Sequence, residues 1–351
     1  MGGVYEEFFG CMPDGREVGA YTLCNQKGMR VKITAYGGAL MQIFAPDREG
    51  RFRDILCGYD SLDDYRQAGG YQGALIGRWG NRIGGARFTL DGVEYVLGAN
   101  EDGRNLLHGG HHGFNEKLWT AEMRENSLVL STLSPHGEEG FPGELRVSVT
   151  YTLTEDNQLI LDYDAVTDQK TVINLTNHAY FNLGGYASGT VFDHELWLDA
   201  DSYLETDEML IPTGRMIPVE GTPFDFRTAK PIGRDIAVDH RDLHIGGGYD
   251  HCFNLVGGKQ TKPVLRGELY HPASGRLMQI LTDQPCIQLY TGNVMTEPVP
   301  FKGGYPQQKH HALCLETQTM PDSMHHANFT DATLSPGQRY GTRTIYAFSC
   351  R

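Results

Sequence analysis

Segment 173–183 carries the side chains best suited to chemistry. With the period of two that a strand has, it divides into an apolar face and a polar face. The polar face consists of Asn174, Thr176, His178, Tyr180 and Asn182. Polar groups that face a cavity need hydrogen-bond partners, so this face suits a hydroxyl-rich ligand such as a carbohydrate. His178 could move a proton there, or could be a structural histidine.

A second segment, 311–318, predicts a strand that carries a carboxylate among small neighbours. Leu313 and Leu315 share one face, and the other face carries Ala312, Cys314, Glu316 and Gln318. Burial raises the pKa of a carboxyl group, which favours its use as a general base near neutral pH. A salt bridge at a sheet edge is the alternative that this segment leaves open.

The glycine-rich turn 77–85 contains two arginines and an asparagine. It lacks the Gly-Lys-Ser/Thr ending of a phosphate loop. Arg78 and Arg82 are expected to be surface or salt-bridge residues. The less favoured alternative is that one of them binds ligand oxygens through two N–H groups of its guanidinium. Asn81 lies between them and can hydrogen-bond a ligand.

Histidines are concentrated in loops, which raises the question of a metal. Loop 105–113 contains three of them, and its glycines allow a tight turn that brings His108 close to a ligand. Histidine pairs also occur at 310–311 and 325–326. Because no carboxylate or cysteine stands at ligand spacing, no metal is expected.

Two other polar residues are candidates for ligand contacts. Asp250 follows the glycine run 246–248 and either caps a turn or contacts a ligand. Gln288 alternates with Ile287 and Leu289, so a glutamine that faces a cavity here could bind hydroxyl groups.

The scaffold for these residues is predicted to be all-β. Gly 44 and Pro 16 are spread in short clusters that leave little room for long helices. Strict alternation predicts a hairpin with strands at 147–153 and 159–165. Other strands are predicted at 30–36, 87–90, 93–96, 127–132, 195–198, 265–269, 277–281 and 343–348, and short helices at 61–66 and 227–230. Many closely spaced strands indicate a large antiparallel β-sandwich or barrel, here as one domain, 1–351.

Charge and composition exclude several classes of function. Lys+Arg 30 against Asp+Glu 44 gives a net charge of −14, which disfavours nucleic acids and anionic membrane surfaces as partners. Seven scattered cysteines without a C-x-x-C pair indicate a reducing compartment. The start of the chain lacks the features of a secretion signal, so a cytoplasmic location is expected.

In their order along the chain, these segments resemble the aldose 1-epimerase (galactose mutarotase) family almost from end to end. The motifs that carry the resemblance lie at 12–18, 36–39, 58–62, 77–83, 107–110, 176–183, 211–214, 223–226, 249–251, 288–292 and 315–318. The resemblance implies a single large β-sandwich with the sugar in an open cleft on one sheet. It implies an enzyme that interconverts the α and β anomers of free aldohexoses such as galactose and glucose, without a cofactor, as a monomer or homodimer.

The resemblance also implies roles for individual residues. Glu316 matches the general base of the family and His178 its general acid. The substrate contacts that carry over are Asn81, Arg82, His108, Asp250 and Gln288. Trp79 stands where smaller residues are common in the family, so we expect it to alter the rim of the cleft and the choice of sugar.

Three other functions remain open at this stage. Asp250 and Glu316 could be the carboxylate pair of a glycoside hydrolase, although His178 in the acid position argues against it. A sugar-phosphate epimerase would need an additional basic cluster near the cleft. A sugar-binding module without activity belongs to a different class, and a mutarotation assay would distinguish it from an enzyme.

Overall fold

The computed structural model describes residues 2–295 and 298–351, and their regular structure is mainly β-strand. The described residues of the first half contain the short α-helix α1 (Leu62–Gln67) and fourteen strands. These strands are β1 (Gly3–Cys11), β2 (Glu17–Cys24), β3 (Arg30–Thr34), β4 (Leu40–Pro46), β5 (Phe52–Asp54), β6 (Leu75–Ile76), β7 (Arg82–Ile83), β8 (Arg87–Leu90), β9 (Val93–Val96), β10 (Leu106–Leu107), β11 (Thr120–Met123), β12 (Ser127–Ser134), β13 (Leu145–Leu153) and β14 (Gln158–Thr167).

The described residues of the second half contain a second short α-helix, α2 (Arg241–Gly246), and thirteen strands. These are β15 (Thr171–Val172), β16 (Thr176–Asn177), β17 (Glu195–Leu198), β18 (Ala200–Thr206), β19 (Pro212–Pro218), β20 (Lys230–Pro231), β21 (Asp250–Leu255), β22 (Val264–His271), β23 (Arg276–Thr282), β24 (Cys286–Tyr290), β25 (Cys314–Gln318), β26 (Thr333–Leu334) and β27 (Tyr340–Cys350).

Three antiparallel sheets form the body of the protein. One is the meander β1–β2–β3–β4–β5, and the largest has nine strands in the order β11–β12–β13–β14–β27–β23–β22–β17–β20. The third has the order β19–β18–β21–β24–β25. Apolar side chains from all three sheets belong to one main core. The Tyr346 hydroxyl of β27 donates to the Leu315 carbonyl of β25 across 3.3 Å, so the nine-stranded sheet packs on the back of the third sheet. The predicted antiparallel sandwich is confirmed.

Local sequence signals located many of the strands correctly. The turn Asp91-Gly92 joins β8 to β9, and the alternating hairpin is β13 and β14. Ser61 caps α1 by accepting a hydrogen bond from the Asp64 amide at 3.1 Å.

The helix predicted at 227–230 is wrong. Lys230 instead belongs to β20, where its buried ammonium donates to the Pro223 carbonyl and to Asp235, each at 2.7 Å. The residue before a proline is disfavoured in the α region, and Pro231 follows Lys230 directly. The helix that does form in this part of the chain, α2, was not predicted.

The alternating strand predicted for 173–183 is also largely wrong. Only Thr176 and Asn177 pair as a strand, with β6, and both faces of the segment are buried. Asn174 donates to the Gly80 carbonyl at 3.0 Å and accepts from the Thr319 amide at 3.1 Å. Asn182 donates to the His311 carbonyl at 2.7 Å. These two asparagines therefore hold neighbouring loops rather than facing a ligand.

No helix in residues 2–295 and 298–351 is long and apolar enough to cross a membrane.

Candidate active site

The third sheet presents a row of polar side chains on the face that lies away from the main core. Gln288 of β24 stands opposite Glu316 of β25, and Cys252 of β21 stands opposite Gln288 on the other side. In the next row, Asp250 and Cys314 flank Tyr290. Because side chains two residues apart share a face, Asp250, Gln288 and Glu316 all project from the same face.

His178 reaches this face from a different part of the chain. Its backbone is fixed by two hydrogen bonds, from its own amide to the Ala74 carbonyl and from the Gly73 amide to its carbonyl, both 2.9 Å long. Its Nε2 lies 3.7 Å from Glu316 Oε1, and both side chains are almost fully buried. Its Nδ1 lies 3.4 Å from the sulfur of Cys314. An imidazole and a carboxyl group that are far apart in sequence therefore meet at one point.

Burial controls the protonation of this pair. It lowers the pKa of His178 to about 4, so the imidazole is neutral at pH 7. Burial raises the pKa of the Glu316 carboxyl well above its usual value; the charge of Asp250 raises it further and that of Arg82 lowers it. Opposite shifts in two adjacent titratable groups are a feature of acid–base catalytic sites.

A turn and a loop bring Asn81 and His108 to the same site. Asn81 and His108 both have a positive φ, of 64° and 50°, and two short strands, β7 and β10, pair next to them. The His108 amide donates to the Asn81 carbonyl, and the Asn81 amide donates to His108 Nδ1, each at 3.1 Å. Since Nδ1 accepts a hydrogen bond, the proton of the neutral ring is on Nε2. Burial, followed by the effect of the neighbouring His178, keeps the pKa of His108 well below its usual value.

His108, His178 and Glu316 lie close enough to suggest a metal centre, since one ligand atom from each falls within 4.8 Å of the others. A metal at His108 Nε2 would require the ring proton on Nδ1, where it would oppose the N–H of Asn81. The hydrogen bonding of His108 thus favours a donor role over a ligand role.

Arg82 lies at the edge of the site in a two-pronged ion pair. Its Nε lies 3.0 Å from each carboxylate oxygen of Glu101, and its Nη2 lies 2.8 Å from Oε1. Burial raises the pKa of Asp250, and the charge of Arg82 opposes this. Gln288 Nε2 donates to Asp250 Oδ1 at 2.6 Å. Gln288 therefore holds Asp250 by a hydrogen bond, Glu101 holds Arg82 by an ion pair, and the charges of Asp250 and Arg82 act on each other.

Two buried oxygen atoms of the site have no protein partner among the described residues. They are Gln288 Oε1 and Glu316 Oε2, which belong to residues opposite each other on neighbouring strands. Buried polar atoms are normally hydrogen-bonded, so their convergence on one sheet face indicates a place for a polar ligand.

Two expectations about the turn 77–85 are wrong. Arg78 is neither a surface nor a salt-bridge residue: it is buried, and its guanidinium donates to Ser134 Oγ at 2.6 Å and to the carbonyls of Pro142 and Gly143 at 2.7 and 2.9 Å. Trp79 does not reach the rim of the cleft. It is fully buried in a second core, and its indole N–H donates to the Arg82 carbonyl at 3.2 Å.

All seven residues predicted to form the site lie at or next to this sheet face, but three neighbours were missed. Cys314 contacts His178, and the strand pattern that located Glu316 also put it on the same face. Tyr71 lies against both histidines, with ring centroids 4.5 Å from His108 and 5.7 Å from His178. Glu101 holds Arg82, and no sequence motif indicated it.

Known proteins are similar to this chain over its full length. The family model described as Aldose 1-epimerase matches residues 19–347. The galactose mutarotase of Homo sapiens is 42% identical over 349 residues, which cover 99% of each chain. The aldose 1-epimerase of Escherichia coli strain K12 is 36% identical over 339 residues, 96% of each chain.

Solved structures share the fold. A GalM/aldose epimerase homologue from C. elegans superposes with a TM-score of 0.87 at 28% identity, covering 99% of both chains. A galactose 1-epimerase from Lactobacillus acidophilus superposes with a TM-score of 0.85 at 26% identity, covering 100% of this chain and 99% of that one.

Proposed function

This chain belongs to the aldose 1-epimerase family, and from that premise we propose that Glu316 and His178 are its general base and general acid. The chain is an isomerase that interconverts the α and β anomers of an aldose. The observation that carries the assignment is the buried contact of 3.7 Å between His178 Nε2 and Glu316 Oε1, because ring opening needs one proton removed and another supplied a few ångströms away.

The reaction consists of two linked proton transfers. Glu316 takes the proton of the C1 hydroxyl, His178 gives a proton to the ring oxygen, and the bond between C1 and the ring oxygen breaks. The open-chain aldehyde rotates about the bond between C1 and C2. Closure on the other face of the carbonyl carbon returns both protons. Glu316 and His178 thus exchange roles between opening and closing, and the pair ends in its initial state.

The protonation of the pair supports this cycle. With a lowered pKa for His178 and a raised pKa for Glu316, burial favours a neutral imidazole beside a neutral carboxyl group, so a single proton held by the pair rests on the carboxyl group. The state that opens the ring, with a carboxylate and an imidazolium, holds the same single proton on the other partner. A shift of one proton across the pair converts one state into the other, so the pair need not exchange protons with solvent during the cycle.

The other polar residues are proposed to hold the sugar. His108 presents an Nε2–H donor close to His178, as its bond from the Asn81 amide indicates. The buried Gln288 Oε1 has no protein partner among the described residues and can accept from a sugar hydroxyl. Asn81, Arg82 and Asp250 complete the set of hydroxyl contacts. The substrates we propose are free galactose and glucose, the former because relatives carry the name galactose mutarotase.

The setting of the enzyme is part of the same proposal. The acidic charge of −14 supports a protein that acts without nucleic acid or a membrane surface. We propose a cytoplasmic enzyme, monomeric or homodimeric, in which residues 1–351 act as one domain without a cofactor.

Polarimetry of freshly dissolved α-D-galactose and α-D-glucose tests the proposal. The enzyme should accelerate the approach to the anomeric equilibrium of one or both sugars, whereas a sugar-binding module would leave the spontaneous rate unchanged. Incubation with a disaccharide distinguishes the hydrolase alternative, since release of reducing sugar would contradict the epimerase assignment.

A further inference from the structure

Glu101 forms the most extensive ion pair at the site, and the assigned chemistry does not use it. Three short contacts of 2.8 to 3.0 Å join its carboxylate to Nε and Nη2 of Arg82. Both side chains are mostly shielded from solvent, with 12% of Arg82 and 20% of Glu101 exposed. Two parallel contacts of this kind fix the plane of a guanidinium as well as its position.

The backbone holds the two partners in this arrangement. Arg82 lies in β7, directly opposite Leu107 of β10. Glu101 begins the tight loop that leads into β10, and it is closed by two hydrogen bonds of 3.1 Å between the backbones of Glu101 and Asn105. Asn105 also accepts from the Gly85 amide at 3.0 Å, which ties the loop back to the turn that follows Arg82. The pair is therefore preorganised rather than formed by two mobile surface chains.

The ion pair leaves part of Arg82 available. A guanidinium has five N–H donors, and Glu101 occupies the one on Nε and one on Nη2. The remaining donors can bind sugar hydroxyls, but the positive charge behind them is already matched by Glu101. Asp250 and Glu316 lie nearby, and Arg82 is the cation that acts on the pKa values of both.

We propose that Glu101 is a specificity-determining and positioning residue that restricts the site to neutral aldoses. Its carboxylate orients the Arg82 fork towards the sugar hydroxyls and cancels the charge that would otherwise attract an anionic aldose, such as a hexose 6-phosphate or a uronic acid. The inference rests on the proposed function, since it takes Arg82 to be a substrate contact.

A comparison of the mutarotation rates of neutral and anionic sugars tests the inference. Mutarotation of α-D-glucose, D-glucose 6-phosphate and D-glucuronic acid is followed with the wild-type chain and with Glu101→Gln. The wild type should prefer glucose. The amide keeps an acceptor for Arg82 but removes the charge, so kcat/KM for each anionic sugar relative to glucose should rise about tenfold.

Two further variants separate charge from position. Glu101→Asp keeps the charge on a shorter side chain, so it should raise the KM for glucose while keeping the preference for neutral sugar. Glu205→Gln is the matched control: Glu205 also pairs with an arginine, Arg215, at 2.9 Å and has the same 20% exposure. Its preference should equal that of the wild type.

The possible failures are distinguishable. An unchanged preference in Glu101→Gln, or equal use of glucose and its 6-phosphate by the wild type, would overturn the role of Glu101 while leaving the epimerase intact. A wild-type chain that accelerates the mutarotation of no neutral aldose would instead overturn the proposed function, and this inference with it.

Discussion

Among the described residues, two clusters bring two imidazoles and one carboxylate together, and they differ in whether their polar atoms have hydrogen-bond partners. The first, here the catalytic cluster, consists of His108, His178 and Glu316. The second, here the distal cluster, consists of Asp193, His194 and His271. In each cluster one candidate ligand atom per residue falls within 4.8 Å of the others. Composition and spacing alone would rank the two equally.

Each ring nitrogen of the two histidines in the distal cluster has a hydrogen-bond partner. His194 Nε2 accepts from the Leu183 amide at 2.9 Å, so Nδ1 carries the proton and faces Asp193 at 3.0 Å. His271 Nδ1 accepts from the Ser274 amide at 3.3 Å, and its Nε2 faces Asp193 at 3.2 Å. A carboxylate that accepts from two neutral rings is a satisfied structural arrangement.

In the catalytic cluster, by contrast, part of the hydrogen-bonding capacity of the buried groups is unused among the described residues. Glu316 Oε2 is buried without a partner among the described residues, and the 3.7 Å between Glu316 Oε1 and His178 Nε2 is too long for a good hydrogen bond. Unfilled hydrogen-bonding capacity in a buried cluster, rather than its residue types, marks the place of a ligand.

The largest effect should come from removing either proton-transfer group. Glu316→Gln and His178→Asn should each lower kcat by about 10²- to 10⁴-fold, since a positioned acid or base contributes that much. Circular dichroism should show an unchanged fold. Stopped-flow polarimetry with galactose measures the rate.

Asp193→Asn in the distal cluster is the control for these two variants. It should keep the wild-type kcat and lower the free energy of unfolding by about 1 kcal/mol, because a neutral side-chain amide is a weaker acceptor than a carboxylate for the two ring N–H groups. A loss of rate in this variant, or near-normal rates in the other two, would remove the distinction between the clusters.

The next effect should appear in binding. Gln288→Leu removes the buried Oε1 that has no protein partner among the described residues, and also the donor to Asp250. The loss of such a contact costs about 1–3 kcal/mol, so KM should rise by about five- to 150-fold while kcat falls less.

Gln284 offers a matched control for the binding effect. It is a buried glutamine whose Nε2 donates to the Tyr340 hydroxyl at 3.1 Å. Gln284→Leu should lower stability without raising KM. Equal changes in KM for the two variants would mean that Gln288 acts through the fold rather than through the sugar.

The sequence predicted the strands better than the connections between them. Where apolar and polar residues alternate, as in β13 and β14, one face is buried and the period is visible. In segment 173–183 the alternation does not mark a buried and an exposed face, because the segment is buried on both sides. Its asparagines bond to loops distant in sequence. Local patterns carry no information about partners of that kind.

The site shows the same limit. Residue types and spacing singled out the seven candidates, the family resemblance assigned their roles, and the local pattern of β25 separated Glu316 from the apolar face of Leu313 and Leu315. Arg78 and Arg82 are four residues apart, but tertiary contacts give them different environments. Carbonyl groups around 134–143 surround Arg78, and Glu101 pairs with Arg82. The sequence contained both arginines but not the groups that surround them.

A third prediction concerns the dependence of the rate on pH. The active pair holds one proton, so kcat/KM should fall on the acid side near the His178 pKa of about 4 and on the alkaline side as Glu316 ionises. The charge of Asp250 raises the pKa of Glu316, so Asp250→Asn should lower that pKa. The alkaline limb should then move to lower pH.

The profile is measured from about pH 3 to about pH 10, after subtraction of the spontaneous rate. Asp193→Asn serves again as the control, since its charge lies in the distal cluster, and it should leave both limbs in place. An alkaline limb that stays fixed or moves up in Asp250→Asn would contradict the coupling between Asp250 and Glu316.

The smallest effect should come from Cys314, whose sulfur lies 3.4 Å from His178 Nδ1. Burial keeps the pKa of this thiol well above its usual value, so its sulfur is neutral and can act as a weak acceptor. A bond from Nδ1–H to the sulfur leaves Nε2, which faces Glu316, free to take up the proton that forms the imidazolium. Cys314→Ala should lower kcat by about two- to tenfold, the worth of one modest hydrogen bond, with little change in KM.

Cys314→Ser should restore most of the rate, and Cys286→Ala, a buried cysteine on the neighbouring strand, should leave kcat unchanged. If the serine variant were as slow as the alanine variant, the sulfur would matter for packing alone, and the orientation of His178 would depend on its backbone bonds and the surrounding rings.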